Sequence, residues 1–289
     1  TYFPGRPVVL RQTRRFGKEI YEFSQIIRRG IFDSVEKEYE HTEKFGTVKR
    51  YLNFNEIPFK TSEGTWYILG RVNSTVTELK MAAKDAGLYF SDNKGNKSFD
   101  KKQWNAIKSW TTLSKDKSIS RDQAENMYKY IRDLKDFDFR TPKFWQNIPE
   151  TQTFTFKQLK EWAGLDLEDY EQTRPWWIIL KRNFTPNQTQ YFIRLLRTYG
   201  QQTIDKDPQI IIDTIHSVKG GEANNVLIYS KTNWPASFSH KTKDEQSDEK
   251  RVYYTGVTRA KNTLHILSTD YKYNYPIGKD YFMYLQEKK

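Results

Sequence analysis

Apolar positions along this chain follow two periods, short runs of consecutive or alternating apolar residues and longer stretches with apolar residues three or four apart. Runs of the first kind, bounded by glycine and polar residues, predict strands at 6–10, 47–53, 66–70, 210–212, 226–228 and 263–268. The second kind begins with Phe16, Ile20, Phe23 and Ile27, stopping at Gly30. It returns with Val76, Leu79, Ala83 and Ala86, where Thr75 and Glu78 read as a capping box and Gly87 as the stop, and again with Val252, Tyr253, Gly256, Val257 and Ala260. From 101 to 207 only helical signatures occur. Trp104, Ile107 and Trp110 share one face; Ala124, Met127, Ile131 and Leu134 share another, opened by Ser120 and Gln123. Thr155 and Gln158 cap a short helix stopped by Gly164, and Thr185, Pro186 and Gln188 open one that buries Phe192 and Tyr199 before Gly200. This middle stretch reads as a mostly helical insertion.

The densest chemistry sits between the runs at 210–212 and 226–228. There a polar loop carries a hydroxyl (Thr214), an imidazole (His216), a cation (Lys219), Gly220, Gly221 and a carboxylate (Glu222). Paired glycines let backbone amides approach an anion closely, although a plain hairpin connection with solvated charges has the same composition. A second stretch follows, with Tyr254, Thr258, Arg259 and Ala260 ahead of the strand at 263–268. By itself Arg259 also reads as a cation at a helix C-terminus, held by the macrodipole. Taken in order, these two stretches resemble motifs V and VI of superfamily 1 helicases of the UvrD/Rep type, with Thr214, His216, Lys219, Gly220 and Glu222 matching the first and Tyr254, Thr258, Arg259 and Ala260 the second. Gly221 departs from the pattern, standing where the family usually has an apolar residue.

The resemblance extends to two shorter segments. Leu10, Gln12 and Arg15 match motif IV, although a basic loop between strand and helix is also an ordinary solvated connection. Arg71 and Asn73, in the step from strand to helix after Gly70, resemble the family segment that touches single-stranded DNA. The family implies an α/β fold, a RecA-like parallel sheet with flanking helices, in two parts at 1–100 and 208–289 around a reduced 2B-like helical insertion at 101–207. It implies that Arg15 and Arg259 are catalytic arginines reaching the γ-phosphate of ATP, that Gln12, Gly220, Gly221 and Glu222 lie on the nucleotide side, and that Arg71, Asn73, Thr214 and His216 contact single-stranded DNA or a single/double-strand junction. ATP and Mg2+ would be held mainly by an N-terminal RecA-like domain, because no Gly-x-x-x-x-Gly-Lys-Ser/Thr loop occurs in this sequence. By that reading these 289 residues are the C-terminal motor half of a longer DNA helicase and hydrolyse nothing unaided. A non-catalytic nucleic-acid-binding module, or an adaptor working through its helical insertion, remains as the alternative.

Composition adjusts this picture at a few points. A net charge of +12 suits an anionic partner, although a basic surface can also simply aid solubility, and nucleic acid fits, since Lys and Arg neutralising phosphates supply most non-specific affinity. Cysteine is absent and the four histidines are scattered, so no disulfide framework, cysteine zinc site or other metal cluster is expected. No apolar run reaches membrane-spanning length and the first residues lack signal-peptide character, from which a soluble, cytoplasmic protein is expected. The segment 91–97 resembles a calcium loop only superficially: it lacks the terminal acidic ligand and carries two lysines, so a hairpin tip is preferred. Trp104, Trp110, Trp145, Trp162, Trp176 and Trp177 cluster in the insertion, as core packing or as exposed platforms for stacked bases. The mixed-charge run at 241–250 reads as a solvated loop, and the aromatic segment 281–284 as a surface-docked tail.

Overall fold

The computed structural model describes residues 12–13, 16–32, 34, 40–41, 46–60, 62–131, 134, 138–162, 171–233, 236 and 241–277. The chain divides into two compact units, Thr1–Ser98 with Gln202–Lys289, and Phe99–Gln201. Before the boundary come β1 (Gln12–Thr13), α1 (Lys18–Arg29), β2 (Glu40–His41), β3 (Thr47–Tyr51), β4 (Trp66–Gly70), α2 (Asn73–Asp85) and β5 (Phe90–Ser91). The second unit holds α3 (Lys101–Leu113), β6 (Ile119–Ser120), α4 (Arg121–Tyr128), α5 (Pro142–Gln146), β7 (Thr153–Phe154), α6 (Phe156–Trp162), α7 (Trp176–Ile179) and most of α8 (Pro186–Asp205). The chain then returns with β8 (Ile210–Thr214), β9 (Ala223–Tyr229), α9 (Lys243–Val257) and β10 (Ala260–Leu267).

Six strands form one sheet in the order β3-β10-β9-β4-β8-β5, and every neighbouring pair is parallel. Both faces are covered by helices, which explains why the central strands are apolar at successive positions rather than alternating. On one face Ile20, Phe23 and Ile27 of α1 and Tyr253 and Val257 of α9 pack against Val226, Ile228, Leu264 and Ile266. On the other, Val76, Leu79 and Ala83 of α2 cover Trp66, Ile68, Ile212, Leu227 and Leu267. This is the α/β, RecA-like arrangement that the resemblance implies. A buried histidine, His265, sits in the second face at 1% exposure, its ring 4.7 Å from that of Trp66 and 5.6 Å from that of Tyr51. Burial pushes its pKa down to about 4.

Several local expectations change. Strands β8 and β9 do not form a hairpin, because β4 lies between them, and the loop joining them is a parallel connection. Ala260 is the first residue of β10 rather than part of the helix. The charged run at 241–250 is not a solvated loop: Thr242 caps α9, its hydroxyl accepting from the Glu245 amide while the Glu245 carboxylate accepts from the Thr242 amide. The start of α2 is set by Thr75, whose hydroxyl accepts from the Val72 amide, while Glu78 pairs instead with Lys231 at 2.7 Å. In the second unit the caps at Ser120/Gln123, Thr155/Gln158 and Thr185/Gln188 form as the spacing predicts. A short antiparallel pair, β6 with β7, joins the helices, and α4 ends before Ile131 and Leu134. Trp104, Trp110, Trp145 and Trp176 are core residues, whereas Trp177 is 40% exposed. The segment after β5 is a hairpin tip, in which the Asp92 carboxylate accepts from the amides of Lys94 and Asn96.

Candidate nucleic-acid interface and the glycine turn

Parallel register decides what meets what at the carboxyl edge of the sheet. Gly70, the last residue of β4, pairs with Thr214, the last of β8, and Leu69 pairs with Ile228 of β9 on the other side. Three adjacent strands therefore release their following loops at one level, the place where parallel α/β sheets collect ligands. The result is a pocket of about 500 Å³ lined by Arg71, Val72, Asn73, Ser74, Thr214, His216 and Asn233. All four sequence-derived DNA candidates, Arg71, Asn73, Thr214 and His216, line it, together with Asn233, which follows β9 and carries no motif.

Local chemistry holds each loop in place. Gly70 has no room for a side chain: a Cβ there would lie 2.7 Å from the Thr75 hydroxyl and 3.0 Å from Val76, so glycine lets α2 start directly against β4. After β8, Ile215 and Val218 are buried under α9 while His216 and Lys219 are turned outward. The Ile215 amide donates to the Gly70 carbonyl, and Ser217 donates its hydroxyl to the Thr214 carbonyl. The hairpin tip buttresses the loop from its side, with the Asn93 amide donating to the Asp213 carboxylate at 3.1 Å and the Asn93 side chain donating to the Ser217 carbonyl at 2.8 Å. Partial shielding of the ring from water and then the Arg71 charge lower the pKa of His216 below its ordinary value.

Arg71 is not a free cation. Its Nε and Nη2 donate to the two carboxylate oxygens of Glu249, each at 2.7 Å, and Lys241 Nζ lies 2.9 Å from Glu249 Oε1. Glu249 is 2% exposed. Burial alone would raise its pKa, but the hydrogen bonds from Arg71 and Lys241 outweigh that and hold it below the usual carboxylate range. Sequence reasoning missed this carboxylate inside a charged run. The available signal was spacing: Glu249 precedes Tyr253, Gly256 and Val257 by four, seven and eight positions, the buried face of α9.

The loop that begins in the pocket ends at the opposite, amino edge of the sheet. Ala223 opens β9 beside Ala260 at the start of β10, and the Ala223 amide donates to the Arg259 carbonyl. Gly221 and Arg259 are therefore neighbours: Arg259 Nη1 donates to the Gly221 carbonyl and Nε to the Thr255 carbonyl, both at 3.0 Å. The helix-end position of Arg259 and its place in the motif thus coincide in one clamp. Gly220 has φ +92° and open space where a Cβ would stand, whereas a Cβ at Gly221 would collide with the Tyr67 hydroxyl. A side chain at position 221 would have to push the Tyr67 hydroxyl aside, in keeping with glycine standing where the motif usually carries an apolar residue. Glu222 pairs with Lys261 at 2.9 Å, both about two-fifths exposed. Arg15 lies outside the described residues, as do the side chain of Gln12, the strand at 6–10 and the segment 281–284. Whether Arg15 meets Arg259 at the γ-phosphate thus also lies outside the described residues, and the backbone of Gln12 lies in β1, paired with Glu40.

Among the described residues no cluster of three metal-ligating side chains occurs, and no helix is long and apolar enough to cross a membrane. Comparison with curated proteins finds no match. A family model described as the UvrD-like helicase C-terminal domain matches residues 14–271, which include both edges of the sheet described above. On that match, and on a parallel sheet that carries the motif residues at its two edges, the chain belongs to the UvrD-like helicase C-terminal domain family.

Proposed function

We propose that this domain works as the second half of an ATP-driven motor on single-stranded DNA, with the carboxyl-edge pocket gripping the strand and Arg259 serving the nucleotide. The reading rests above all on one observation: Arg71, Asn73, Thr214 and His216, taken from two separated stretches of sequence, line a single polar pocket. Asn73 and Thr214 offer neutral donors, His216 an imidazole ring, and Arg71 the positive charge, a set suited to a phosphodiester and its bases. Lys219, whose charge is felt at His216, adds to the positive field around it, and Lys241 offsets the charge of Glu249.

On the nucleotide side, the chemistry required is positioning and charge stabilisation of a transferring phosphoryl group. Arg259 supplies a guanidinium whose fork suits phosphate oxygens, and the open space beside Gly220 leaves room for an anionic group near its amide. Arg15 would be the second arginine, with Gln12 orienting it and Glu222 accepting from the ribose. ATP and Mg2+ would be held mainly by a phosphate-binding domain outside these 289 residues, consistent with the lack of a phosphate-loop sequence among them. The segment from Thr214 to Ala223 runs from strand site to glycine turn, so a shift of Arg259 toward phosphate would release the Gly221 carbonyl and act on the same loop that carries His216.

Two measurements test this. Anisotropy of a labelled oligothymidine should show binding that weakens steeply with added salt, and Asn73→Ala with His216→Ala should weaken it further; binding insensitive to salt would rule out a phosphate-tracking pocket. In the ATP-hydrolysing chain that contains this domain, Arg259→Ala should retain nucleotide binding and lose roughly 10³-fold or more in turnover. Unaltered turnover rejects the arginine's role.

A further inference from the structure

The carboxylate of Glu249 belongs to none of the motif positions that the resemblance assigns to DNA or nucleotide, yet it holds Arg71, a residue of the pocket lining, from behind. Both its oxygens accept from Arg71, Oε1 also lies 2.9 Å from Lys241, and the residue is 2% exposed. A buried ion pair is costly to assemble, and a pair of apolar side chains would hold α9 to the α2 loop at least as well. What the carboxylate does that an apolar residue would not is orient the guanidinium. Arginine has five N–H donors; the paired Nε and Nη2 edge fixes the plane of the group against Glu249, and the remaining donors belong to a side chain that lines the pocket.

We propose that Glu249 is a positioning residue for strand binding: it locks Arg71 with its free donors available to a phosphate, and Lys241 keeps the cluster at a net single positive charge so that the lock does not cancel the attraction. The inference rests on the reading of this pocket as a DNA site. It predicts a sign opposite to that of simple electrostatics. Glu249 places a negative charge beside an anion-binding pocket, so Coulomb's law alone makes Glu249→Gln bind DNA more tightly. If Glu249 orients Arg71, the same substitution weakens binding, because the amide has one oxygen and cannot accept from both Nε and Nη2, so Arg71 loses its fixed plane.

The experiment is oligothymidine anisotropy with the 289-residue chain as wild type, Glu249→Gln, Arg71→Lys and the double variant, each checked for a retained fold by circular dichroism at the assay temperature. Arg71→Lys keeps the charge but loses the bidentate fork. The expected result is a loss of roughly tenfold in affinity for each single variant, the worth of a charge-assisted contact, with no further loss in the double variant because both remove the same interaction. Glu249→Asp, one methylene shorter with the charge kept, should fall between wild type and Glu249→Gln. Should Glu249→Gln not keep its fold, Glu249→Asp decides the matter, since it keeps every charge and leaves Arg71 itself intact: weakened binding supports positioning and unchanged binding overturns it. Tighter binding by Glu249→Gln, or additive losses in the double variant, would overturn the positioning role while leaving the DNA site intact. Failure of the wild type to bind at all would overturn the functional reading and this inference together.

Discussion

Replacing Arg259 by alanine offers the sharpest test of how the glycine turn is held. The side chain spans two carbonyls, Thr255 at the end of α9 and Gly221 in the loop before β9, through two hydrogen bonds of 3.0 Å. Hydrogen bonds from a charged donor contribute roughly 1.5–3 kcal/mol each at protected sites. Here the side chain is part-buried, and both carbonyls regain water once it is gone, so each bond is worth about 1–1.5 kcal/mol and the pair about 2–3 kcal/mol. A cation acting only through the helix dipole would be worth roughly 0.3–1 kcal/mol, which separates the two accounts. Because the chain has two units and need not unfold in one step, a global melting curve is the wrong measurement. Residue-resolved amide hydrogen exchange is the right one, read at the Ala223 amide, which donates to the Arg259 carbonyl, and at Gly221, whose amide donates to the Val218 carbonyl. The opening free energy at these two positions should fall by about 2–3 kcal/mol in Arg259→Ala, and by about half that in Arg259→Lys, whose single ammonium reaches one carbonyl. A fall below about 0.5 kcal/mol in Arg259→Ala, no more than an ordinary surface substitution costs, would falsify the clamp.

Two further outcomes follow from the packing and the buried charge. Gly70→Ala should cost about 1–3 kcal/mol in denaturant stability of the first unit, because its methyl meets the Thr75 hydroxyl at 2.7 Å and the Val76 backbone at 3.0 Å; a neutral effect would mean that α2 is free to back away from β4. His265 has a folded pKa of about 4 against 6.5 for an unburied ring, so the unfolded chain takes up the proton more readily. Its contribution is complete above pH 6.5 and is lost as the pH falls toward about 4, roughly 3 kcal/mol in all. His265→Phe, which keeps a ring between Trp66 and Tyr51, should flatten that part of the stability-against-pH curve, and an unchanged acid limb would show that another group carries it.

Much of the fold was legible because local periodicity and capping are local facts. The strand runs at 66–70, 210–212 and 226–228, and the caps at Ser120, Thr155 and Thr185, announce themselves within a few residues and form as read. Motif order likewise singled out the residues around Thr214 and Arg259 as candidates without any knowledge of what touches them. Spacing along a chain does not carry strand order, however, and strand order made the pocket. Placing β4 between β8 and β9 brings Arg71 and Asn73 level with Thr214 and His216, and sends the intervening loop from one edge of the sheet to the other. The partner of Arg71 was hidden for the same reason. A glutamate within a run of charges looks solvated until the helix that carries it docks, and only then does the loss of water force its carboxylate onto the nearest guanidinium.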